Sequence, residues 1–157
     1  MQTSFTENQL KDKDNKTSET IIRKCVHCGM CNATCPTYGI NGEELEGPRG
    51  RIYLIKDMLE NKKPATKQIA KHIDSCLSCY SCMTTCPSGV NYMHLIDHGR
   101  NYVEETYKRP FFDRLFRNIL SFVLPRPKVF LLMALSSKII KPFSFLFPKF
   151  LKNALSL

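Results

Sequence analysis

Five stretches of the chain carry apolar residues at helical spacing, and the alternation expected of strands is nearly absent. From Arg49 to Asn61, residues Ile52, Leu54, Ile55, Met58 and Leu59 fall on one arc, and Arg49, Lys56, Asp57 and Glu60 on the other. Arg51 lands on the apolar arc. Pro48 stands just before, where proline suits a first helical turn. A second helix around Thr66–Ser75 puts Ile69 and Ile73 on one side. A third, about Tyr92–Tyr107, aligns Leu95, Gly99, Tyr102, Val103 and Thr106. Residues Phe111–Val123 divide sharply, with Phe111, Phe112, Leu115, Phe116, Ile119, Leu120, Phe122 and Val123 opposite Asp113, Arg114, Arg117, Asn118 and Ser121. Pro125 and Pro127 end that helix, and a further amphipathic stretch is expected over Lys128–Lys141, stopped by Pro142. The pattern predicts a mainly α-helical protein in three parts. Residues 1–20, polar and poor in apolar positions, read as a disordered lead-in. Residues 21–108 form the cysteine-bearing domain, and residues 109–157 form a basic, Phe-rich tail holding nine of the ten phenylalanines.

The chemistry is concentrated in one internal repeat. Cys25–Pro36 reads CVHCGMCNATCP and Cys76–Pro87 reads CLSCYSCMTTCP, an offset of 51 residues. Both are C-x2-C-x2-C-x3-C-P, the spacing of bacterial two-cluster ferredoxins. Three cysteines at intervals of three can converge on three corners of an iron–sulfur cube. Proline disfavours the helical region for the residue before it, so the chain leaves the coil at the fourth cysteine, which points away. In two-cluster proteins that cysteine serves the other cluster. The expectation is therefore two [4Fe–4S] clusters, one on Cys25, Cys28, Cys31 and Cys86, the other on Cys76, Cys79, Cys82 and Cys35, close enough for an electron relay. Zinc is commonly held by separated C-x2-C pairs, which this pattern is not. Clustered thiols also argue against a disulfide scaffold.

Other polar residues read more plainly. His94 and His98, spaced i and i+4, lack an evident third metal ligand and are expected to face solvent. Glu43, Glu44 and Glu46 read as a solvated acidic loop. Arg49 and Arg51 are either surface charge at a helix start or positive charge near an anionic cluster, and Arg51 is the better candidate for the second role because it faces inward. No catalytic triad or pair of catalytic carboxylates can be placed. No Gly-rich nucleotide fingerprint occurs, so a flavin or nicotinamide is expected on another chain.

Composition and charge sharpen this picture. The first residues lack the apolar core of a signal peptide, and no apolar run reaches the roughly 18 residues of a membrane span. A cytoplasmic location is the expectation. Residues 1–108 hold 14 Lys and Arg against 13 Asp and Glu, whereas residues 109–157 hold 9 against 1. The basic tail has two readings: its apolar face packs on protein, or it lies in an anionic membrane interface on the inner face of the cytoplasmic membrane. It has no recognisable nucleic-acid motif, and a nucleic-acid partner is not expected.

The stretches CVHCGMCNATCPTYG, GEELEGPRGRIYLIK and the second cysteine run followed by Ser88-Gly89-Val90 closely resemble the iron–sulfur subunit of bacterial glycolate oxidase. The resemblance runs from about residue 22 through the tail. It implies an α-helical ferredoxin fold with two [4Fe–4S] clusters. It also implies FAD-binding partner subunits that oxidise glycolate or a related 2-hydroxy acid and pass electrons toward the respiratory chain; quinone is the expected acceptor. Members of that family continue into two further cysteine-rich repeats, so the chain is expected to be a truncated, split or fragmentary subunit. Subunits of anaerobic glycerol-3-phosphate dehydrogenase, lactate utilisation and heterodisulfide reductase share the cluster domain and stand as alternatives, as does a structural module without redox role.

Overall fold

The computed structural model describes residues 1–140, apart from the side chains of Ala134 and residues 136–140. It is helical, with no strand among the described residues: α1 (Lys13–Lys24), α2 (Pro36–Asn41), α3 (Pro48–Asn61), α4 (Lys67–Asp74), α5 (Ser81–Thr84), α6 (Tyr92–Thr106), α7 (Phe111–Val123) and α8 (Pro127–Ile140). Short 3-10 turns occupy Gln9–Lys11, Met30–Asn32 and Glu44–Glu46. The chain divides into two compact units at Lys108–Arg109.

In the first unit α3 and α6 pack closely, and α1 and α4 add their apolar sides to the same core. Ile22, Ile52, Ile55, Met58, Ile73, Leu95, Ile96 and Val103 are sealed from solvent there. Each such side chain contributes about 1.5–3 kcal/mol of burial. Gly99 permits the closest approach, because a Cβ at that position would lie 2.8 Å from Cγ1 of Ile55. Local signals set the helix ends. Pro48 opens α3, the Thr66 hydroxyl accepts the Ile69 N–H, and the Asn91 side chain accepts the His94 N–H.

Residues 1–20 are not a disordered lead-in. Asp12 caps α1 by accepting the Asp14 N–H at 2.8 Å. Ser18, Ile21 and Ile22 of α1 are buried, and Met1 and Phe5 pack against the core. Gln9 is buried too, and its side-chain amide donates to the carbonyls of Leu59 and Glu60 at 2.8 and 3.0 Å. It thereby satisfies two of the carbonyls that a helix C-terminus leaves unpaired. The polarity that suggested disorder is spent on helix caps.

The second unit begins at Arg109. Asp113, in the first turn of α7, pairs with Arg109 at 3.4 Å and with Arg117 at 3.3 Å. The apolar face of α7 is open, with Phe111 72% and Phe112 80% exposed. Arg126 lies 4.0 Å over the Phe122 ring. The expected amphipathic character does not extend to α8, whose polar residues are confined to Lys128 and Ser136–Lys138. Pro142 lies outside the described residues. Among the described residues no helix is long and apolar enough to cross a membrane.

Candidate metal centre

The two cysteine runs are built alike. Helix α1 ends at Lys24 and hands the chain to Cys25, and α4 ends at Asp74, two residues before Cys76. In each run the residues flanking the second cysteine are left-handed: His27 and Gly29 in the first (φ 59 and 84), Ser78 and Tyr80 in the second (φ 52 and 57). Such backbone costs about 1–2 kcal/mol at a non-glycine residue. It curls each loop about its second cysteine, which stays exposed (Cys28 and Cys79), while Cys25 and Cys82 are buried. Cys35 is extended (φ −87, ψ 116) before Pro36, as the residue before a proline should be.

All eight cysteines are free thiols. They line two neighbouring cavities. Cys25, Cys28, Cys31 and Cys86 line one cavity, and Cys35, Cys76 and Cys79 line a second; Cys82 borders both. Pro48 and Tyr92 form the wall between them. The equivalent threonines of the two runs meet at the crossing, where the Thr85 hydroxyl donates to Thr34 Oγ1 at 3.2 Å. Burial, then the neighbouring Cys25, Cys86 and Cys28, push the Cys31 thiol up. Burial, then Cys31, Cys76, Cys35 and Cys79, push the Cys82 thiol up to about 12. Crowded sulfurs of this kind ionise together only around bound cations, and soft thiolate sets select iron–sulfur clusters or zinc.

Beside the second group lies a buried charge network. Arg51 is 1% exposed and Glu46 2%, and their side chains pair at 2.9 Å. Glu46 also accepts from Ser75 and lies 2.8 Å from Nδ1 of His72, which is itself buried. Burial would push the Glu46 carboxyl up, but the bonds from Ser75 and His72 and the charges of His72 and Arg51 carry it below the ordinary carboxylate range. The Arg51 guanidinium further donates to the His72 carbonyl at 2.7 Å and to Thr37 Oγ1 at 3.2 Å. Its Nη1 stands 4.0 Å from Sγ of Cys35. The inward position expected for Arg51 is thus observed.

Comparison with known proteins fits this geometry. Residues 21–90 match the family model of the 4Fe–4S dicluster domain. The matched residues hold both cysteine runs and lie inside the first unit. The chain is 48% identical over 143 residues to the glycolate oxidase iron–sulfur subunit of Escherichia coli (strain K12), covering 91% of this chain and 35% of that protein. It is 32% identical over 117 residues to the probable glycolate oxidase iron–sulfur subunit of Bacillus subtilis (strain 168), covering 71% and 26%. Against the succinate dehydrogenase iron–sulfur subunit of Paracoccus denitrificans, identity is 28% over 76 residues, covering 45% and 29%. The chain therefore spans about a third or less of the length of these curated relatives. No solved structure matches it.

Around the two cavities several polar residues depart from expectation. Glu46 is not part of a solvated loop, although Glu43 and Glu44 are exposed, and Glu44 pairs with Arg49 at 2.5 Å. Placing Arg51 on an apolar arc demanded a buried counter-charge, and the nearby acidic residues were the signal that could have found it. His72, its other neighbour, had no comparable signal. His98 does not face solvent: it is half-buried, with Nδ1 2.7 Å from the Ser18 hydroxyl. Nε2 of His94 is enclosed without a partner, and the two imidazole rings are 6.2 Å apart. No third metal donor joins this pair among the described residues.

Proposed function

We propose that this chain is an electron-transfer subunit of a 2-hydroxy acid oxidase complex, of the glycolate oxidase type. Cys25, Cys28, Cys31 and Cys86 hold one [4Fe–4S] cluster, and Cys76, Cys79, Cys82 and Cys35 hold the other. The observation that supports this reading is that Cys86 lines the cavity of Cys25, Cys28 and Cys31, and Cys35 lines the cavity of Cys76, Cys79 and Cys82. A [4Fe–4S] cluster supplies a one-electron carrier whose potential depends on its surroundings. The chain's own residues supply the rest. Eight thiolates fix the two sites side by side, with Pro48 and Tyr92 between them. Ile52 and Val90, both buried, limit water at the first site. No residue of the chain is assigned substrate chemistry.

The relatives' names support an oxidoreductase complex as the setting. A flavoprotein partner carrying FAD would oxidise the 2-hydroxy acid and deliver electrons one at a time, and a quinone of the respiratory chain would receive them. The exposed phenylalanines of α7, with Arg114 and Arg117 on the same helix, support a peripheral place at the inner face of the cytoplasmic membrane.

Anaerobic reconstitution with iron and sulfide tests the assignment. About eight irons and eight sulfides per chain, with an EPR signal of two interacting reduced clusters after dithionite, are expected. Zinc in their place, or iron without a reducible signal, would leave a structural module instead.

A further inference from the structure

The two cysteine groups come from a repeat, yet their surroundings differ in one consistent respect. The sulfurs of the Cys35–Cys76–Cys79–Cys82 site are faced by side-chain donors. The hydroxyl of the buried Tyr92 donates to Cys76 Sγ at 3.7 Å. Hydrogen bonding from the Ser81 backbone and side chain holds the Cys79 thiol below its ordinary range. Cys35 has the Arg51 guanidinium at 4.0 Å; the Thr37 hydroxyl, 3.2 Å away, gives its hydrogen to the Glu46 carbonyl instead. Three of the four sulfurs are thus served.

At the Cys25–Cys28–Cys31–Cys86 site the pattern is different. The Val90 backbone N–H donates to Cys86 at 3.5 Å. Asn32 turns its carbonyl oxygen, not its amide nitrogen, toward Cys31, because its nitrogen is engaged by Glu44. Among the described residues no hydroxyl or guanidinium donates to a sulfur here. The repeat shows where the difference arises: Met30 stands at the position equivalent to Ser81, and Gly29 at that of Tyr80. Two features oppose the trend and are smaller. Arg49 acts on Cys31, and like Arg51 it is paired with a carboxylate (Glu44 for Arg49, Glu46 for Arg51), but it is part-exposed where Arg51 is buried. The Glu46 carbonyl lies 3.7 Å from Cys35, but the Thr37 hydroxyl shields it by bonding it at 2.7 Å.

Donors to thiolate sulfur, and positive charge beside it, stabilise the reduced, more negative state and raise the potential. We infer that the Cys35–Cys76–Cys79–Cys82 site is the higher-potential, electron-receiving end of the relay, set there by Tyr92, Ser81 and Arg51 as positioning residues. This rests on the two-cluster reading above. In the step itself one electron leaves the group on the Cys25–Cys28–Cys31–Cys86 site, oxidised by one, and reaches the group on the other site, reduced by one. No bond breaks and no proton moves. A one-electron donor such as a reduced flavoprotein supplies the first site.

The test is an EPR-monitored redox titration of the reconstituted chain, unaltered and as the Ser81→Ala, Tyr92→Phe and Met30→Ser variants. Two one-electron waves are expected. Ser81→Ala and Tyr92→Phe should each shift the reduced-to-oxidised ratio of the higher wave about tenfold toward oxidised, equivalent to about 59 mV, and leave the lower wave in place. Met30→Ser, which gives the first run the hydroxyl of the second, should raise the lower wave. Movement of the lower wave in Ser81→Ala and Tyr92→Phe, or of neither, would overturn the inference while leaving the two-cluster reading intact. A chain with no reducible iron would overturn both. These substitutions avoid the buried Arg51–Glu46 pair, so a folding defect does not obscure the result.

Discussion

The Arg51 guanidinium donates to the Glu46 carboxylate at 2.9 Å, and water reaches neither side chain. Arg51 on α3 and Glu46 on the preceding turn both bond His72 and Ser75, so the pair ties the entry of α3 to the α4 end that leads into the second cysteine run. Breaking a buried pair leaves an uncompensated charge at about 3–5 kcal/mol. Glu46→Ala should destabilise the chain by that amount, measured as a shift in denaturant midpoint. A loss below about 1 kcal/mol would show that the pair is solvated.

Gly50 sits in α3 with its Cα pressed against the backbone of the Glu44–Glu46 turn. A Cβ there would meet the Glu44 carbonyl oxygen at 2.3 Å, a contact that no side-chain rotation relieves. Gly50→Ala should cost at least about 1–3 kcal/mol, the range for overpacking. Gly39 in α2 has nothing within 4 Å of its Cβ position, and Gly39→Ala should be neutral or mildly stabilising. Thermal midpoints of the two variants, measured side by side, check the contrast.

Acidification should weaken the first unit early. Burial lowers the His98 pKa from its ordinary 6.5, against the opposing influence of Asp14. A histidine with a depressed folded pKa contributes stability that is present above 6.5 and lost as pH falls through the folded value. Glu46, depressed from 4.5, adds a second loss at lower pH. Between pH 7 and pH 5 the fall in unfolding free energy should therefore flatten in His98→Asn. An unchanged slope would assign the early loss to other groups.

The exposed face of α7 gives a prediction for the second unit. If Phe111, Phe112 and Phe116 enter a lipid interface, the full chain should co-sediment with vesicles containing anionic phosphatidylserine or phosphatidylglycerol, less so with neutral vesicles, and binding should fall with added salt. Replacing the three phenylalanines with serine should abolish it. Retention of binding in that variant would move the interface away from α7.

Much of this architecture was legible in the residues. The helical arcs of α3, α4, α6 and α7 are visible because their apolar faces are wide, and the repeat announces two gatherings of thiols. Helix α1 was not legible from composition, because its buried face is only Ser18, Ile21 and Ile22 among polar neighbours. The repeat did hold the missing signal. Shifting α4 (Lys67–Asp74) back by 51 residues gives 16–23, inside α1, so each cysteine run follows an equivalent helix. The Glu46–His72 contact joins residues 26 apart, and neither periodicity nor spacing marks such a pair.

The most direct test of the account is iron content and EPR of two double variants after anaerobic reconstitution. If the fourth cysteines cross over, Cys35→Ser with Cys76→Ser damages a single site, leaving about four irons per chain and one reducible cluster. Cys25→Ser with Cys35→Ser then damages both sites and leaves neither intact. The reverse outcome, with a whole cluster surviving in the second variant and not in the first, would show that each cysteine run closes its own site and would contradict the account.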